Sequence, residues 1–153
     1  MATPPGSGEL WLCGKRVVAP DPQAALDSIA PDATIVCLNQ ADDLTRYPGY
    51  PSWLNDSPTA TWFPIPDFGV PAIAEFATLV DDVAALLRDG GDVIMHCSAG
   101  IGRTGTTATC VLVELGHTVD QAVDLVGTAR PGAGPETAAQ LRLIETFVDR
   151  RKS

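Results

Sequence analysis

The chain has 153 residues, of which 45% are hydrophobic and 19% are charged. That length suits one domain of ordinary size, and the apolar fraction favours a packed core over a disordered chain. The formal net charge of −9 repels nucleic acid and anionic membrane surfaces, so we expect neither as a partner. Any site that binds an anion must therefore be built locally, against the charge of the whole chain.

The sequence indicates neither export nor a membrane span. No apolar run approaches the roughly 20 residues that cross a bilayer, and residues 1–8 lack the basic and apolar blocks of a signal peptide. The cysteines form no Cys-x-x-Cys pair, which indicates a reducing cytoplasm, and the two histidines complete no zinc-ligand spacing. We predict a cytoplasmic monomer without a metal ion, with a flexible segment over 1–8 and a single domain over 9–153.

Strands are predicted mainly in the first part of the chain. Short segments rich in β-forming residues predict strands over 9–13, 16–18, 33–38, 61–65 and 92–96. A weaker helical pattern covers residues 22–29. The segment 92–96 is apolar enough to be a buried strand.

Helical patterns dominate the second part. Apolar residues at steps of three and four predict a helix over 71–88, and further helices are predicted over about 102–115, from Thr118, and over 135–150. Thr118 and Gln121 have the spacing of a capping box. The expected fold is α/β: a central, mostly parallel sheet of about five strands flanked by helices, with a helical C-terminal half.

The most informative segment joins the strand that ends at His96 to the helix that begins near Arg103. Successive backbone N–H groups in such a loop can curl around an anion at the helix N-terminus. The glycines within the loop permit a tight backbone path and the close approach of a ligand. We therefore predict that phosphate is bound by Ser98, Ala99, Gly100, Ile101, Gly102 and Arg103.

Cys97 lies at the base of this predicted loop. The N–H dipoles, the helix N-terminus and a nearby guanidinium all favour a thiolate, which makes Cys97 a candidate nucleophile. Arg103 can offer two parallel donors to two phosphate oxygens, and Thr104 can donate its hydroxyl proton to the departing sulfur. His96 is expected to orient the loop through hydrogen bonds to the backbone. The alternative is a buried structural cysteine beside a glycine turn.

The stretch from His96 to Gly105 matches the pattern H-C-x-x-G-x-x-R-[ST]-G and resembles the catalytic loop of the protein tyrosine phosphatase superfamily. The resemblance implies the cysteine phosphatase II fold and hydrolysis of phosphate monoesters through a phosphocysteine intermediate, without a cofactor. The length of the chain fits the compact dual-specificity branch, which includes the kinase-associated phosphatase. The implied substrate is a phosphorylated protein or peptide, with phosphotyrosine favoured.

A proton donor for the leaving group is the second requirement of this chemistry. Asp67 lies in the segment Trp62-Phe-Pro-Ile-Pro-Asp-Phe-Gly-Val-Pro71, between a predicted strand and a predicted helix. This segment resembles the W-P-D loop of tyrosine phosphatases, which implies that Asp67 is the general acid. The alternative is that Asp67 only caps the helix that follows.

The same resemblance assigns three further residues. The segment from Ala129 to Gln140 resembles one that lines the active site of compact dual-specificity phosphatases, so Arg130 would support the loop and Gln140 would position the attacking water. Gln140 could equally be a solvent-facing residue of a helix. Cys37 corresponds to a cysteine that in some relatives forms a reversible disulfide with the nucleophile. The alternative for Cys37 is a buried strand cysteine without a partner.

Three other functions stay open on the sequence alone. Hydrolysis of a non-protein phosphate monoester, either a lipid or a small metabolite, would use the same residues. A phosphopeptide-binding pseudophosphatase usually lacks the cysteine, the arginine or the acid, whereas all three candidates are present here. Rhodanese-like sulfur transfer also uses a cysteine loop, but it needs neither Asp67 nor the run Arg103-Thr104-Gly105.

Overall fold

A computed structural model describes residues 8–152. Their strands are β1 (Leu10–Gly14), β2 (Thr34–Cys37), β3 (Ala60–Trp62) and β4 (Val93–Cys97), which form one sheet in the order β1-β4-β2-β3. Every pairing in this sheet is parallel, and β4 lies between β1 and β2. Because the carboxyl ends of parallel strands meet at one edge, the residues that follow β1, β2 and β4 converge there.

The sheet confirms the predicted fold class, with four strands among the described residues rather than about five. The prediction of a strand over 16–18 was wrong, because these residues lie in helix α1 (Lys15–Val18). Strand β1 ends where Gly14 lies level with Cys97, and the Lys15 N–H donates to the Ser98 carbonyl at 3.1 Å. The chain turns there into a helix, which a short apolar run does not distinguish from a strand.

Helices cover both faces of the sheet. One face carries α1 with α2 (Pro22–Ile29) and α3 (Tyr50–Asp56), and the other carries α4 (Ile73–Arg88), α5 (Gly102–Glu114), α6 (Val119–Ala129) and α7 (Ala138–Arg151). The predicted helices correspond to α2 and to α4 through α7. The sequence did not predict α3 or the 3₁₀ turn Ala41–Leu44.

Helix α5 is the central element of the second helical layer. Its residues from Gly102 to Val113 are buried, and it packs against α4, α6 and α7. Phe76 on α4 and Phe147 on α7 meet edge to face, with ring centroids 6.2 Å apart, an arrangement that aromatic rings favour. Burial on all sides fixes α5, and with it the loop that precedes it, relative to the sheet.

Two sequence predictions concern the ends of elements. The capping box at Thr118 is confirmed, since its hydroxyl accepts from the Gln121 N–H at 3.2 Å and the Gln121 side chain accepts from the Thr118 N–H at 3.0 Å.

The predicted flexible segment 1–8 lies outside the described residues except for Gly8, whose N–H donates to the Leu87 carbonyl at 2.8 Å. Across residues 8–152, no helix has the length and apolar character that a bilayer span requires.

Candidate active site

Cys97 is the last residue of β4 and is 3% exposed. The loop after it leads directly into α5, whose first backbone hydrogen bond runs from the Gly105 N–H to the Ile101 carbonyl at 2.8 Å. The N–H groups of Gly102 and Arg103 precede that bond, so they cannot be satisfied within the helix. Donors of this kind at a helix N-terminus are suited to an anion beside Cys97.

The tight path of the loop depends on Gly100. This residue has φ of +78°, and a Cβ added to it would lie 2.4 Å from the carbonyl carbon and oxygen of Cys13. A side chain at position 100 would therefore be strained and would also collide with β1. The loop lies against the end of the neighbouring strand because glycine is present at this position.

Arg103 is buried, and the nitrogens of its guanidinium group differ in how fully the protein bonds them. Nη1 donates to the Asp43 carboxylate at 2.8 Å and to the Ile65 carbonyl at 2.9 Å. Nη2 donates to the Ser98 hydroxyl at 3.3 Å and lies 3.6 Å from an oxygen of Asp67, and Nε has no partner among the described residues. Nη1 therefore anchors the side chain, whereas Nε and Nη2 form a two-pronged edge that can bind phosphate.

Asp43 holds this anchor in place from the 3₁₀ turn. Its carboxylate also accepts from the Gln40 N–H at 2.9 Å, and its carbonyl accepts from the Lys15 ammonium at 2.6 Å. Burial acts to raise the pKa of Asp43, but the hydrogen bonds from Arg103 and Gln40 outweigh it and hold the pKa below its usual value. Asp43 is consequently a carboxylate at neutral pH.

Asp67 lies on the loop between β3 and α4, with its side chain 54% exposed. Helix α4 begins at Ile73 with Ala72 at the N-cap, so Asp67 does not cap it and that alternative is wrong. The Gly69 N–H donates to the Pro66 carbonyl at 2.9 Å, which closes a turn around Asp67. The carboxyl group therefore lies beside Arg103 and is still accessible to a substrate.

His96 is fully buried behind the loop. Its Nε2 lies 2.6 Å from the Tyr50 hydroxyl, and its Nδ1 lies 3.4 Å from the Cys97 carbonyl oxygen. Burial lowers the pKa of His96 to about 4, so the ring is neutral at pH 7, and burial raises the pKa of Tyr50, so the phenol keeps its proton. A neutral imidazole that accepts from Tyr50 and donates to Cys97 fits an orienting role.

Thr104 follows Arg103 in the first turn of α5 and is also fully buried. Among residues 8–152, its hydroxyl has no hydrogen-bond partner. A buried hydroxyl without a hydrogen-bond partner destabilises the folded state, because it has lost its hydrogen bonds to water. Its proton is therefore available to a group that binds in the loop.

Known proteins resemble both the sequence and the fold. A family model described as "Polymorphic toxin system, DSP-PTPase phosphatase" matches residues 53–117. Cyclin-dependent kinase inhibitor 3 of Sus scrofa is 32% identical over 89 residues, which are 57% of this chain and 42% of that protein. The crystal structure of Tk-PTP in the active form superposes with a TM-score of 0.72 at 25% identity, covering 97% of this chain and 99% of that one. The chain is therefore similar to protein tyrosine phosphatases in both sequence and fold.

A second relative has a higher identity over a shorter stretch. Tyrosine-protein phosphatase non-receptor type 61F of Drosophila melanogaster is 48% identical over 59 residues, which are 35% of this chain and 10% of that protein. The chain spans less than half the length of the curated relatives described here. Its similarity over nearly the full length of Tk-PTP confirms the predicted phosphatase-type fold.

Two residues assigned by resemblance lie beside the loop that joins Cys97 to Arg103. Gln140 is 1% exposed, so its interpretation as a surface residue was wrong. Its Oε1 accepts from the Glu136 N–H at 2.7 Å, and its Nε2, without a partner among the described residues, points towards Gly102. Arg130 donates from Nη2 to the Ala99 carbonyl at 2.5 Å. Both residues are placed to support the loop, and Gln140 has a free donor for a water.

Cys37 is buried on the other face of the sheet. It packs with the residues under α1 to α3, whereas Cys97 packs with those under α4 to α7. Burial raises the pKa of Cys37 to about 12, so it is a neutral thiol, and it is not disulfide-bonded. A Cys37–Cys97 disulfide would require the end of the sheet to rearrange, and it stays a prediction.

The sequence analysis missed three residues that shape this site: Asp43, Asn39 and Tyr50. Asn39 is fully buried, and its Nδ2 donates to the Ser98 hydroxyl at 2.9 Å. Two signals were available in the sequence. Asn39 follows β2 at the edge where ligands bind in parallel sheets, and Gln40 and Asp43 have the spacing of a capping box. No pattern in the sequence indicates the role of Tyr50, because its hydrogen-bond partner His96 is distant in sequence.

Proposed function

We propose that the protein is a protein-tyrosine or dual-specificity phosphatase that uses Cys97 as its nucleophile. The observation that carries the proposal is the placement of Cys97, Arg103 and Asp67 at one edge of the sheet, with Arg103 anchored through Nη1 and open at Nε and Nη2. A nucleophile, an anion clamp and an acid are the groups that cleavage of a phosphate monoester needs. The similarity to these phosphatases supports the same activity.

In the proposed first step, the Cys97 sulfur attacks phosphorus and the bond from phosphorus to the substrate oxygen breaks. Asp67 gives its proton to that oxygen, so the alcohol or phenol leaves neutral. The loop N–H groups and the open edge of Arg103 bind the phosphoryl oxygens as charge builds on them. The products of this step are phosphocysteine and the dephosphorylated substrate.

In the proposed second step, a water attacks phosphorus and the bond from sulfur to phosphorus breaks. Gln140 orients this water by donating a hydrogen bond from its free Nε2, and the Asp67 carboxylate removes a proton from the water. The Thr104 hydroxyl donates a hydrogen bond to the departing sulfur, which leaves as a thiolate. Inorganic phosphate then dissociates, and the protonated Asp67 is ready for the next cycle.

The proposed substrate is a phosphorylated protein, with phosphotyrosine favoured, and the proposed site of action is the cytoplasm. The names of the relatives support this substrate class, since one is called a tyrosine-protein phosphatase. The acidic net charge of −9 disfavours a lipid surface as the substrate. We propose that the chain acts as a monomer.

Hydrolysis of p-nitrophenyl phosphate in the presence of a chelator tests the proposed activity. We expect Cys97→Ser to lower kcat by at least about a thousandfold, because the nucleophile is removed. Cys110→Ala, which removes a buried thiol of α5 away from the loop, is the matched control and should retain most of the activity. Activity that survives in Cys97→Ser would contradict the mechanism, and activity on metabolite phosphates but on no phosphopeptide would contradict the substrate class.

A further inference from the structure

A groove opens beside the phosphate-binding loop, next to the end of β1. It has a volume of about 580 Å³ and is lined by Gly14, Arg16, Val17, Ser98, Ala99 and Arg130. Two of these residues, Ser98 and Ala99, belong to the loop itself. Residues on either side of a phosphorylated side chain bound at Cys97 would therefore lie within reach of the groove.

The groove is basic, although the chain as a whole is acidic. Two of its lining residues are arginines and none is an Asp or Glu. Within residues 8–152, the exposed Arg16 side chain forms no ion pair or hydrogen bond, and Arg130 pairs with no carboxylate but donates to the Ala99 carbonyl. The chain has only 10 Lys and Arg residues against 19 Asp and Glu residues, so a groove lined by two arginines and no carboxylate differs in charge from the chain as a whole.

The groove also offers an apolar contact. Val17, on the helical turn that follows β1, is 49% exposed and lines the groove together with the two arginines. The aliphatic parts of arginine side chains add apolar surface on either side. A chain segment with an acidic side chain and a neighbouring apolar side chain complements such a surface.

We infer that this groove binds an acidic segment of the phosphoprotein substrate beside the phosphorylated residue, an inference that rests on the proposed function. An enzyme with a net charge of −9 repels acidic substrates over most of its surface. Arg16 and Arg130 offset that repulsion at the position where the substrate chain meets the loop. The groove thereby selects phosphorylated sites with acidic neighbours. A membrane is a poorer occupant, because binding to anionic lipid needs a wide basic face rather than two arginines.

Affinity measured without turnover tests this inference. The Cys97→Ser protein is titrated with two phosphotyrosine peptides that differ only in whether Glu or Gln flanks the phosphorylated residue. We expect the Glu peptide to bind about fivefold more tightly at low ionic strength, as two exposed ion pairs would provide, and this preference should shrink at high salt. Adding Arg16→Ala should reduce the preference to about twofold or less.

Arg150→Ala is the matched control, because Arg150 is an exposed arginine in a separate groove with Asp81 and Glu114. It removes the same charge and should leave the preference for the Glu peptide intact. Equal affinities, no binding of either peptide, or a preference that Arg16→Ala does not change would overturn the inference. So would binding to anionic vesicles without any peptide preference. Failure of the wild type to hydrolyse p-nitrophenyl phosphate would contradict the proposed function, and the affinity comparison would still decide the role of the groove.

Discussion

The guanidinium of Arg103 links most of the side chains that shape the site. Asp43 and Ile65 hold Nη1, whereas Ser98 and Asp67 lie at Nη2. The loop around Arg103 could be predicted from the sequence, because its residues are contiguous and glycine is needed at fixed positions. Asp43 could not be, because its contact with Arg103 depends on the way β2 and the 3₁₀ turn end beside α5. Local sequence patterns indicate the candidate reacting groups, whereas the residues that position them depend on tertiary packing.

Removing the Asp43 carboxylate should impair catalysis without removing a reacting group. In Asp43→Ala, Arg103 keeps only the Ile65 carbonyl at Nη1, so its open edge is less well fixed. We expect kcat/KM for p-nitrophenyl phosphate to fall about tenfold, in line with the loss of a supporting contact behind a binding residue. Asp42→Ala, an exposed neighbour on the same turn, is the control. Equal effects of the two substitutions would contradict the assigned role of Asp43.

The charge state of His96 should appear in the pH dependence of stability. Burial lowers the pKa of this imidazole to about 4, whereas an unfolded chain has it near 6.5. Between those values the unfolded chain binds a proton that the folded protein does not, so the free energy of unfolding falls as the pH falls from 6.5 to 4. Denaturant unfolding at pH 7.5 and pH 5.5 should differ by about 1 kcal/mol in the wild type. The difference should be smaller in His96→Gln, and an unchanged difference there would assign it to other groups.

At the scale of elements, helix α5 connects the site to the core. Periodic apolar residues and capping signals predicted α4 through α7 well, because each buries one continuous face. Helix α3 was not predicted, since its segment Tyr50–Asp56 is short and contains a proline and three polar residues beside its apolar ones. The prediction of a strand over 16–18 was also wrong because it relied on local sequence alone. The end of β1 is set by its pairing with β4, which the local sequence does not reveal.

Two glycine substitutions in helices should have opposite effects on stability. In Gly105→Ala, the new Cβ would lie 2.1 Å from the Gly134 backbone nitrogen, so α5 must move away from the turn before α7 at a cost of about 1–3 kcal/mol. In Gly127→Ala, the new Cβ on α6 meets nothing within 4 Å, and the better helix former should stabilise the protein by up to about 1 kcal/mol. Denaturant unfolding measures both, and a neutral Gly105→Ala would contradict the tight packing described here.

At the scale of the molecule, the fold places the two arginines of the groove, Arg16 and Arg130, close together in a protein with a net charge of −9. The parallel sheet brings the ends of β1, β2 and β4 to one edge, where the Cys97 loop, Asp43 and the basic groove lie side by side. The sequence predicted the sheet, which the structure confirms, and it placed the candidate nucleophile in the loop after a strand, since both follow from patterns within single segments. It did not predict the groove, because Arg16 and Arg130 become neighbours only when α1 and the turn after α6 both pack against the loop.

The central claim is that Cys97 carries the phosphoryl group during turnover. Rapid acid quenching of the Asp67→Asn variant with p-nitrophenyl phosphate, followed by mass spectrometry of its peptides, tests this claim most directly. The first step persists in this variant because p-nitrophenolate leaves with little help from an acid, whereas the second step lacks its base, so the intermediate should accumulate. We expect the peptide that contains Cys97 to gain the mass of one phosphoryl group, and we expect the gain to be absent in the Asp67→Asn, Cys97→Ser double variant. Turnover without any phosphorylated Cys97 peptide, or the same gain in the double variant, would contradict the account.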